Sequence, residues 1–433
     1  MRRLAQQTNF PTSLAFREAR REKRLGKEFF GGRVVWKSSV VAEPGSGPAP
    51  MKDEELEGYA DRLFRRLDNC AWAGPDPYDG MTSPLSALAV HPLLRQALLQ
   101  TVKRSPVDLR PWLGIRPLRT ATAFGLGATA CSRLSGSPLW HGRAQRLGRW
   151  TADRQLSGRY AGLWRYEFDV QTRWGHYPAS VPNVIATTFC ADGCLDAGTL
   201  DGEAVETLAA ALLEHLFNGR HFVYTPTTKV LIHNANLMGA ALATRVAHLD
   251  GVSRPLASRL VDAARSSVSA TVAAQRPDGS WPYGTSPNLG WVDGFHTGYV
   301  LMRLEAAARG LDLDLDVAVS TGARYYFDYL FDGSLPRYYA DERPRLVSPG
   351  RRDPNNDATA VRTAAWAAER GYVTRGFAED VLAAVVDGIP GCGRIPQRQP
   401  SAMMRHPARL SPRWSLTPFL DALTALRVAR RNG

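Results

Sequence analysis

The strongest constraint on the fold is a helical spacing of apolar residues that runs through most of the chain. From Asp53 onward, segments such as EELEGYADRLFRRL, TATAFGLGATACSRL and NANLMGAALATRVAHL carry apolar residues three and four positions apart. This spacing places apolar side chains on one face of an α-helix, whereas the alternation typical of β-strands is nearly absent. The sequence therefore predicts an all-α protein with a dozen or more helices.

Small residues and loop lengths indicate how these helices pack. Ala and Gly recur inside several helical segments, as in ATAFGLGATA and TAAWAAER, so we expect close helix packing. Short loops favour antiparallel hairpins, and long polar and aromatic loops are where a helical scaffold carries chemistry. No fixed period of about 34 or about 40 residues is visible, which disfavours a helical solenoid. We therefore predict an (α/α)-toroid of about six helical hairpins, with its long loops at one rim.

The positive charge of the chain is concentrated at its N-terminus. The net charge is +13, and the first 37 of the 433 residues hold ten Arg or Lys and three Glu, which gives 10 − 3 = +7. Residues 43–50 (EPGSGPAP) have the composition of a linker. We predict a disordered basic extension over residues 1–50 and one toroid domain over residues 51–433.

Several classes of protein are disfavoured by these bulk features. The basic tract lacks the aromatic interleaving and motifs of a nucleic-acid site, although it can rest on a membrane surface. No stretch approaches the ~20 apolar residues of a membrane span, and no apolar segment follows the basic N-terminus as in a signal peptide. Five cysteines without a CxxC pair disfavour disulfides and structural zinc. We expect a cytoplasmic protein that uses no metal or cofactor and binds no nucleic acid.

The clearest local motif is Gln275 to Trp281 (QRPDGSW), where a helix ends and a Gly turn directs a Trp back across neighbouring helix ends. This motif resembles the QW repeat of squalene and terpene cyclases. It also resembles the D-G-x-W turn of six-hairpin glycan enzymes. In both groups the Trp is usually structural, so substrate contact by Trp281 is the less favoured interpretation.

A wider resemblance rests on several loops together. The stretches are PYDGMTSPL from Pro77, KRSPVDLRP from Lys103, YEFDVQTR from Tyr166, VPNVIAT from Val181, YTPTT from Tyr224, IHNAN from Ile232, DGSWPYG from Asp278 and WVDGFHTGY from Trp291. They resemble toroid proteins of bacterial exopolysaccharide clusters, the polysaccharide biosynthesis proteins of the VpsJ type. The resemblance implies a role in glycan assembly or modification, on a glycan or a glycosylated, possibly lipid-linked, substrate. It assigns no catalytic residue.

The loop residues have the mixture that a sugar site needs, with flat aromatic faces for the CH groups of a pyranose and polar groups for its hydroxyls. The predicted aromatic contacts are Trp281, Tyr283, Trp291 and Tyr299. The predicted polar contacts are Asp278, Asp293, His296, His233, Asn234 and Asn236.

Two pairs within this set have informative spacing. His233 and Asn236 lie three apart at a helix start, so their side chains can project on the same side, although Asn234 or Asn236 can instead cap that helix. His296 follows Asp293 by three residues where the next helix begins. Asp293 can therefore cap the helix, or it can orient and charge the imidazole for acid/base work.

The chemistry remains open between two types. Asp169 with Asp293 or Asp357 can act as general acid and base at a glycosidic bond. Alternatively, a Tyr or His can abstract a proton beside a neutralised uronate, as in epimerases and lyases of similar toroids. Arg173 is available to bind a carboxylate or phosphate of the substrate.

The loop Arg394 to Trp414 is basic and long. It is either a lid, an edge of the site that binds an anionic substrate, or an ordinary exposed connection.

A second hypothesis comes from NNDATA, which begins at Asn355. It resembles a degraded D-x-D-D-T-A acid motif of class II terpene cyclases, with Asp357 in the place of the protonating Asp. The neighbouring carboxylates of that motif are replaced by Asn356 and Ala358, and the segment also has the pattern of a capped helix start.

Three hypotheses therefore follow from the sequence. The first is a carbohydrate-active enzyme with metal-free acid/base chemistry, of glycosidase, epimerase or lyase type. The second is a terpene cyclase-like isomerase that uses Asp357. The third is a toroid that binds a saccharide without catalysis.

Overall fold

The computed structural model describes residues 51–105, 107–172, 175–340, 352–386 and 411–431. The predicted basic extension over residues 1–50 lies outside these residues. The α-helices are α1 (Asp53–Asn69), α2 (Pro92–Arg104), α3 (Ala121–Ser132), α4 (Pro138–Ala152), α5 (Val184–Asp196), α6 (Gly202–His215), α7 (His233–Ala247), α8 (Arg254–Val272), α9 (Gly294–Gly310), α10 (Asp316–Tyr329), α11 (Pro354–Glu369), α12 (Arg375–Val385) and α13 (Thr417–Arg431). Strands β1 (Val170–Gln171) and β2 (His176–Tyr177) form one antiparallel pair, and β3 (Phe331–Asp332) and β4 (Leu335–Pro336) form another.

The helices form two concentric rings. The inner ring runs α3, α5, α7, α9, α11, α13, each packed against the next, and α13 packs back against α3. Helices α4, α6, α8, α10 and α12 follow the inner helices one by one and surround them, and α1 packs outside α13. Arg427 and Arg430 of α13 pair with Asp53 of α1 and join the two ends of the ring. The prediction of an (α/α)-toroid of six hairpins is confirmed.

Side-chain size decides which helices lie inside. The outer helix α1 is amphipathic and buries one stripe that includes Leu56, Ala60 and Leu63. The inner helices are buried on almost every side, because each contacts inner neighbours and an outer helix. Where α5 crosses α3, Gly193 lies against the backbone of Gly125, and a Cβ on either residue would overlap the other helix. The predicted close packing at small residues is present at this crossing.

Loop length differs between the two ends of the ring. Each inner helix except α13 is followed by a turn of about five residues and an antiparallel outer helix, so these inner helices point the same way. Long loops lead back to the N-termini of the inner helices, and this loop-bearing end is called the rim below. Thr120, Asn183 and Asp293 cap three of these N-termini. No helix in the ranges given above combines the length and apolarity needed to cross a membrane.

Candidate active site at the rim

The rim loops are tied to one another by backbone hydrogen bonds. The amide of Gly294 donates to the carbonyl of Tyr338, and the amide of His233 donates to the carbonyl of Tyr283. Isolated bridges also join Ile232 to Gly284 and Asp293 to Tyr339. Loops from neighbouring hairpins therefore hold one another in place around the mouth of the ring.

Asp293 and His296 form a hydrogen-bonded pair at the start of α9. One carboxylate oxygen of Asp293 accepts from the backbone amide of His296 at 2.8 Å, and the other lies 2.7 Å from His296 Nδ1. The second oxygen also accepts from Trp291 Nε1 at 2.9 Å. Asp293 thus caps the helix and orients the imidazole at once, while acid/base work by His296 stays a prediction.

The geometry fixes the tautomer of the neutral imidazole. A carboxylate only accepts, so Nδ1 carries a proton, and the Nε2 of the neutral ring presents its lone pair. Asp293 is buried, while the side chain of His296 keeps about a quarter of its surface exposed. A buried acceptor behind a partly exposed imidazole is the arrangement of an oriented general base.

Aromatic rings form a wall beside this pair. Tyr283 stacks on Trp291 with centroids 4.7 Å apart, and its ring centroid lies 4.5 Å from that of His296. Phe295 contacts the other side of His296 and reaches Trp414 from the last loop. The rings leave flat faces next to the imidazole, as saccharide binding requires.

Several tyrosines converge on the same region from separate loops. Burial raises the pKa of Tyr224, Tyr283 and Tyr338 well above the ordinary value of a phenol, and neighbouring Tyr and Asp charges add to the shift. The hydroxyls of Tyr166 and Tyr224 lie 2.8 Å apart. Tyr224, Tyr283 and Tyr338 remain partly accessible to solvent. The part of the rim around these tyrosines and Tyr78 is called the rim cleft below.

Two ion pairs between arginine and aspartate fix further loops around the rim cleft. Arg413 binds both oxygens of Asp76 at 2.7 Å, and Arg110 binds both oxygens of Asp79 at 2.7 and 2.9 Å. Fork-shaped pairs of this kind are strong and directional. They neutralise both carboxylates, so neither is well suited to proton transfer.

Lys103 is the lysine of the rim cleft. Its Nζ lies 4.2 Å from the ring centroid of Tyr78 and 5.9 Å from that of Trp414. Burial works to lower the pKa of Lys103, but the Tyr78 phenol and the Asp353 carboxylate outweigh it and raise the pKa. Lys103 therefore stays charged and can bind a carboxylate of a ligand.

Glu167 differs from the other carboxylates of the rim. It is accessible to solvent, yet it lies deep enough among the loops that burial raises its pKa to about 7. Hydrogen bonds, including one donated by the amide of Ala121, offset part of this shift. A carboxyl group that holds its proton near neutral pH can act as a general acid.

Glu167 and His296 approach the rim cleft from opposite sides. Glu167 is anchored at the N-terminus of α3, and His296 lies in the first turn of α9. In the ring of six inner helices, α9 is three positions from α3, which is the opposite position. A ligand held in the mouth of the ring would lie between the two groups.

Two predicted contacts, His233 and Asn236, lie behind the rim cleft, in the body of the protein. His233 is fully buried, its Nδ1 lies 3.2 Å from Thr271 Oγ1, and burial lowers its pKa to about 4. Asn236 caps no helix. Its amide donates to Ser267 O at 2.7 Å, and its oxygen accepts from Phe222 N at 2.9 Å. Roles for His233 and Asn236 at a substrate are corrected here, because no ligand reaches side chains so deeply buried.

Trp281 is likewise a packing residue. It is buried, donates from Nε1 to Thr271 O at 2.9 Å, and covers Gly322 of α10. Asp278 accepts from the amide and hydroxyl of Ser280 and so shapes the turn before Trp281. These contacts correct the predicted substrate roles of Trp281 and Asp278 in favour of the structural interpretation.

Asn234 and Tyr299 are also buried. Asn234 lines an internal void of about 10 Å³ beside His233, Asp293 and His296, which is too small for a sugar ring. Tyr299 packs inside the inner ring. Its ring centroid lies 5.3 Å from that of Phe295 and 5.7 Å from that of Phe189. Both predicted contacts are corrected, since neither side chain opens to the rim cleft.

Asp169 lies at the β1–β2 hairpin. Its carboxylate accepts from Ala179 N at 2.8 Å and lies 3.0 Å from His176 Nε2. These contacts fold the hairpin, and Asp169 keeps part of its surface exposed. Arg173, the predicted anion-binding residue, lies outside the described residues, as does most of the loop from Arg394 to Trp414.

Asp357 is buried in the first turn of α11, under an arginine. Its Oδ2 lies 3.0 Å from Arg352 Nε, and Arg352 Nη1 donates to Ala384 O on the outer helix α12. Burial raises the pKa of Asp357 to about 7 even though Arg352 works to lower it. The pair joins α11 to an outer helix. The predicted cyclase role needs Asp357 at the end of an aromatic cavity. Because Asp357 packs against Arg352, which is bonded to α12, that prediction is corrected.

No local pattern in the sequence predicted Lys103, Glu167, Tyr338 or the ion-paired carboxylates. Lys103 and Glu167 lie in the stretches KRSPVDLRP and YEFDVQTR, so their loops were marked without these residues being chosen. A charged residue beside aromatic ones in a long loop was the available signal. Arg413 and Trp414 belong to the last loop, Arg394 to Trp414. One interpretation of that loop's sequence was the edge of an anion-binding site.

A larger cavity, of about 560 Å³, lies at the opposite end of the inner ring. It is called the basin below. Arg245 and Arg303 flank Asp192 at 3.1 and 2.7 Å. Burial acts to raise the pKa of Asp192, but the two arginines hold it below its ordinary value. The carboxylates here are ion-paired, and the short turns at this end bring no aromatic wall, so the basin lacks the groups that make the rim a candidate active site.

Among solved structures the chain is similar to several carbohydrate-related proteins. A sugar epimerase from a ruminal bacterium matches with 12% identity and a TM-score of 0.54 over 74% of this chain and 90% of that chain. A possible member of glycoside hydrolase family 105 from Salmonella enterica matches with 12% identity and a TM-score of 0.53 over 89% and 97%. A glycoside hydrolase of family 88 from Bacteroides vulgatus matches with 10% identity and a TM-score of 0.52 over 88% and 99%.

At these identities the likeness establishes the toroid fold alone. No protein-family model matches the sequence, and no curated protein matches it. The resemblance to exopolysaccharide-cluster proteins therefore stays a prediction.

Proposed function

We propose that this chain is a glycan-processing enzyme that holds a saccharide in the rim cleft and transfers a proton through His296. The observation that carries the proposal is the Asp293–His296 pair, in which a buried carboxylate leaves the Nε2 lone pair of a partly exposed imidazole for a substrate. The toroid neighbours include a sugar epimerase and glycoside hydrolases, which fits this proposal.

In the proposed step, neutral His296 removes a proton from a sugar carbon next to a carbonyl or carboxylate group. The imidazolium that forms is stabilised by Asp293, which accepts from Nδ1. The protonated carboxyl of Glu167 returns a proton from the other side, either to the carbon in epimerisation or to the leaving oxygen in elimination. Lys103 binds the carboxylate of a uronate substrate and stabilises the charge that develops.

Epimerase or lyase chemistry is favoured over hydrolysis by the state of the carboxylates. Hydrolysis by paired carboxyl groups needs two that are free to ionise or protonate on either side of the bond. Asp76 and Asp79 are each held by an arginine, and Asp293 is held by three donors. Two described carboxyl groups at the rim have a pKa of about 7, but Asp357 is held by Arg352. Glu167 is therefore the proton donor, and the partner base is the imidazole.

The test is incubation in D₂O with a panel of neutral and uronate oligosaccharides, followed by NMR. Epimerisation by proton abstraction introduces deuterium at the attacked carbon, whereas elimination leaves that carbon without hydrogen and is detected by the vinyl proton signal of the unsaturated sugar. We expect His296→Gln and Glu167→Gln to lower the rate of label incorporation, or of unsaturated-sugar formation, about 100-fold or more. Asp293→Asn keeps a good helix cap but cannot orient the ring in the same way, so a similar loss is expected.

The matched control is His141→Gln, on the exposed face of the outer helix α4. It should leave the rate and the melting temperature unchanged. An undiminished rate of label incorporation or of unsaturated-sugar formation by His296→Gln would refute the proposed base. Saccharide binding without incorporation or new products, in the parent protein, would favour the non-catalytic hypothesis instead.

A further inference from the structure

An unusual concentration of exposed apolar side chains lies on the segment before α3. Six of the ten large apolar residues that are exposed in the described part of the chain belong to it. Leu88, Val90 and Leu93 are 74%, 75% and 73% exposed, and Trp112 is 63% exposed. The apolar patch, as it is called below, consists of Leu85, Leu88, Val90, Leu93, Leu94 and Trp112.

The local structure explains why these side chains face outward. The 3-10 helix Pro84–Leu88 buries none of its residues, and α2 buries Leu99 and Val102 but not Leu93 or Leu94. Helix α2 is therefore apolar on its outer side as well as on its packed side. An exposed apolar surface of this kind marks an interaction site more often than a chance arrangement.

The apolar patch is held in a fixed shape. Arg95 donates to Ala89 O at 2.9 Å and to Val90 O at 3.1 Å, which ties the turn before α2 to the helix. Ser83 Oγ donates to Leu113 O at 2.8 Å, which brings the Trp112 loop beside the 3-10 helix. The side chains therefore project from a surface whose backbone is already held by hydrogen bonds. Binding does not have to order this surface first.

The segment that carries the apolar patch is basic. Residues 84–119 contain six Arg or Lys and one Asp, which gives 6 − 1 = +5. The single acid, Asp108, is paired with Arg110. Arg104, Arg116 and Arg119 are exposed to solvent. The surface thus joins apolar side chains, a tryptophan and a basic border.

We propose that the apolar patch docks the protein on the surface of an anionic lipid bilayer. The leucines and valine enter the boundary between headgroups and acyl chains, Trp112 lies at headgroup level, and the arginines bind lipid phosphates. A second copy of the chain is a poorer occupant, because a two-fold contact would set one basic border against another. The N-terminal 37 residues carry +7 and are repelled in the same way.

The position of the apolar patch relates it to the rim cleft. Lys103 lies ten residues after Leu93 on α2, which is about 15 Å along the helix. Docking therefore holds the mouth of the ring close to the bilayer. A consequence, which rests on the proposed function, is that the saccharide processed there is attached to a lipid. Membrane docking itself does not depend on the enzymatic proposal.

The test is co-sedimentation of the full chain with vesicles of phosphatidylcholine alone and of phosphatidylcholine mixed with phosphatidylglycerol. We expect binding to the mixed vesicles and about tenfold or greater loss in a Leu88→Ser, Leu93→Ser, Trp112→Ser variant. Arg104→Glu with Arg116→Glu should weaken binding to mixed vesicles and remove its dependence on salt. These side chains are exposed, so the melting temperature should not change.

The matched control is Leu139→Ser with Val317→Ser, which removes two exposed apolar side chains from outer helices elsewhere on the ring. It should bind vesicles like the parent. Equal binding by the apolar-patch variant and the parent would overturn the proposal and point to the basic N-terminus. The proposal would also be overturned if the parent protein does not bind vesicles and is a dimer in light scattering, while the apolar-patch variant is a monomer.

Discussion

Replacing Asp357 by Asn separates a structural role of this carboxyl from a catalytic one. The side chain is nearly fully buried, its Oδ1 has no hydrogen-bond partner, and its Oδ2 lies 3.0 Å from Arg352 Nε. Burial raises the pKa to about 7, so the folded protein keeps this proton at pH values where the unfolded chain has released it. The Asn side chain has nearly the same size and no charge to bury.

The sign and size of the effect follow from proton linkage. The unfolded carboxyl titrates near pH 4 and the folded one near pH 7, so folding retains a proton between these values. The free energy of unfolding therefore falls as pH rises through this window, by about 1.4 kcal/mol per unit, and is level above it. Over about three units the upper limit is about 4 kcal/mol. Asp357→Asn has no carboxyl group to titrate here, so this fall in the free energy of unfolding is absent from the variant.

The assay is urea unfolding of both proteins at intervals from pH 4 to pH 8. We expect the stability of Asp357→Asn, relative to the parent, to increase steadily with pH and to level off above about pH 7. Asp250→Asn, in an exposed turn, controls for the loss of a surface carboxylate.

A difference in the free energy of unfolding that is constant from pH 4 to pH 8 would refute this reasoning. It would mean that Arg352 keeps Asp357 ionised throughout. In the D₂O assay Asp357→Asn should stay active. A stable but inactive Asp357→Asn protein would restore the catalytic interpretation of this residue.

Two further predictions concern the packing of the inner ring. Gly193→Ala should lower the free energy of unfolding by about 1–3 kcal/mol in urea titrations, because the new Cβ overlaps the backbone of α3. Gly142→Ala, with open space at its Cβ on the outer helix α4, should instead raise the melting temperature slightly, and a loss comparable with Gly193→Ala would contradict the packing argument. Asp421→Ala should cost about 3–5 kcal/mol in the same assay, because it leaves Arg133 and Arg362 near the basin without their shared partner at 2.6 and 2.8 Å. An unchanged urea midpoint would show that solvent in the basin replaces that partner.

The fold was predictable because its cause repeats along the chain. The same spacing of apolar residues recurs in every hairpin, and runs such as TAAWAAER are too small and too apolar for an outer surface. The alternation of short turns and long loops then indicates which ends of the helices carry chemistry. Each of these features involves residues that are close together in the chain, so it can be recognised in a single sequence.

The rim cleft was predictable only in part. Asp293, His296, Tyr283 and Trp291 lie within 14 residues of one another, and the structure brings them into contact. Glu167 comes from another loop, and its proximity to the cleft follows from the closure of the ring. No local pattern contains that information.

Burial of the inner helices explains the corrected residues. His233 and Asn236 are polar and begin a helix, a position that is usually exposed. An inner helix of a toroid is covered on all sides, so polar groups in its first turn can serve neighbouring backbone. The amide of Asn236 does so for Phe222 and Ser267. Three-residue spacing gives the side of a helix but not whether that side meets solvent or protein.

The pairing of α1 with α13 has a consequence for biosynthesis. Asp53 and Arg430 are 377 positions apart, so this contact forms only after α13 has left the ribosome. Until then α1 and α3 lack their partner, and their apolar flanks are open to aggregation or to chaperones. Contacts of such long range also slow folding. Once closed, the ring brings its two ends together, so a circular permutant that joins them and opens a short turn such as Gly198 should rebuild the same toroid.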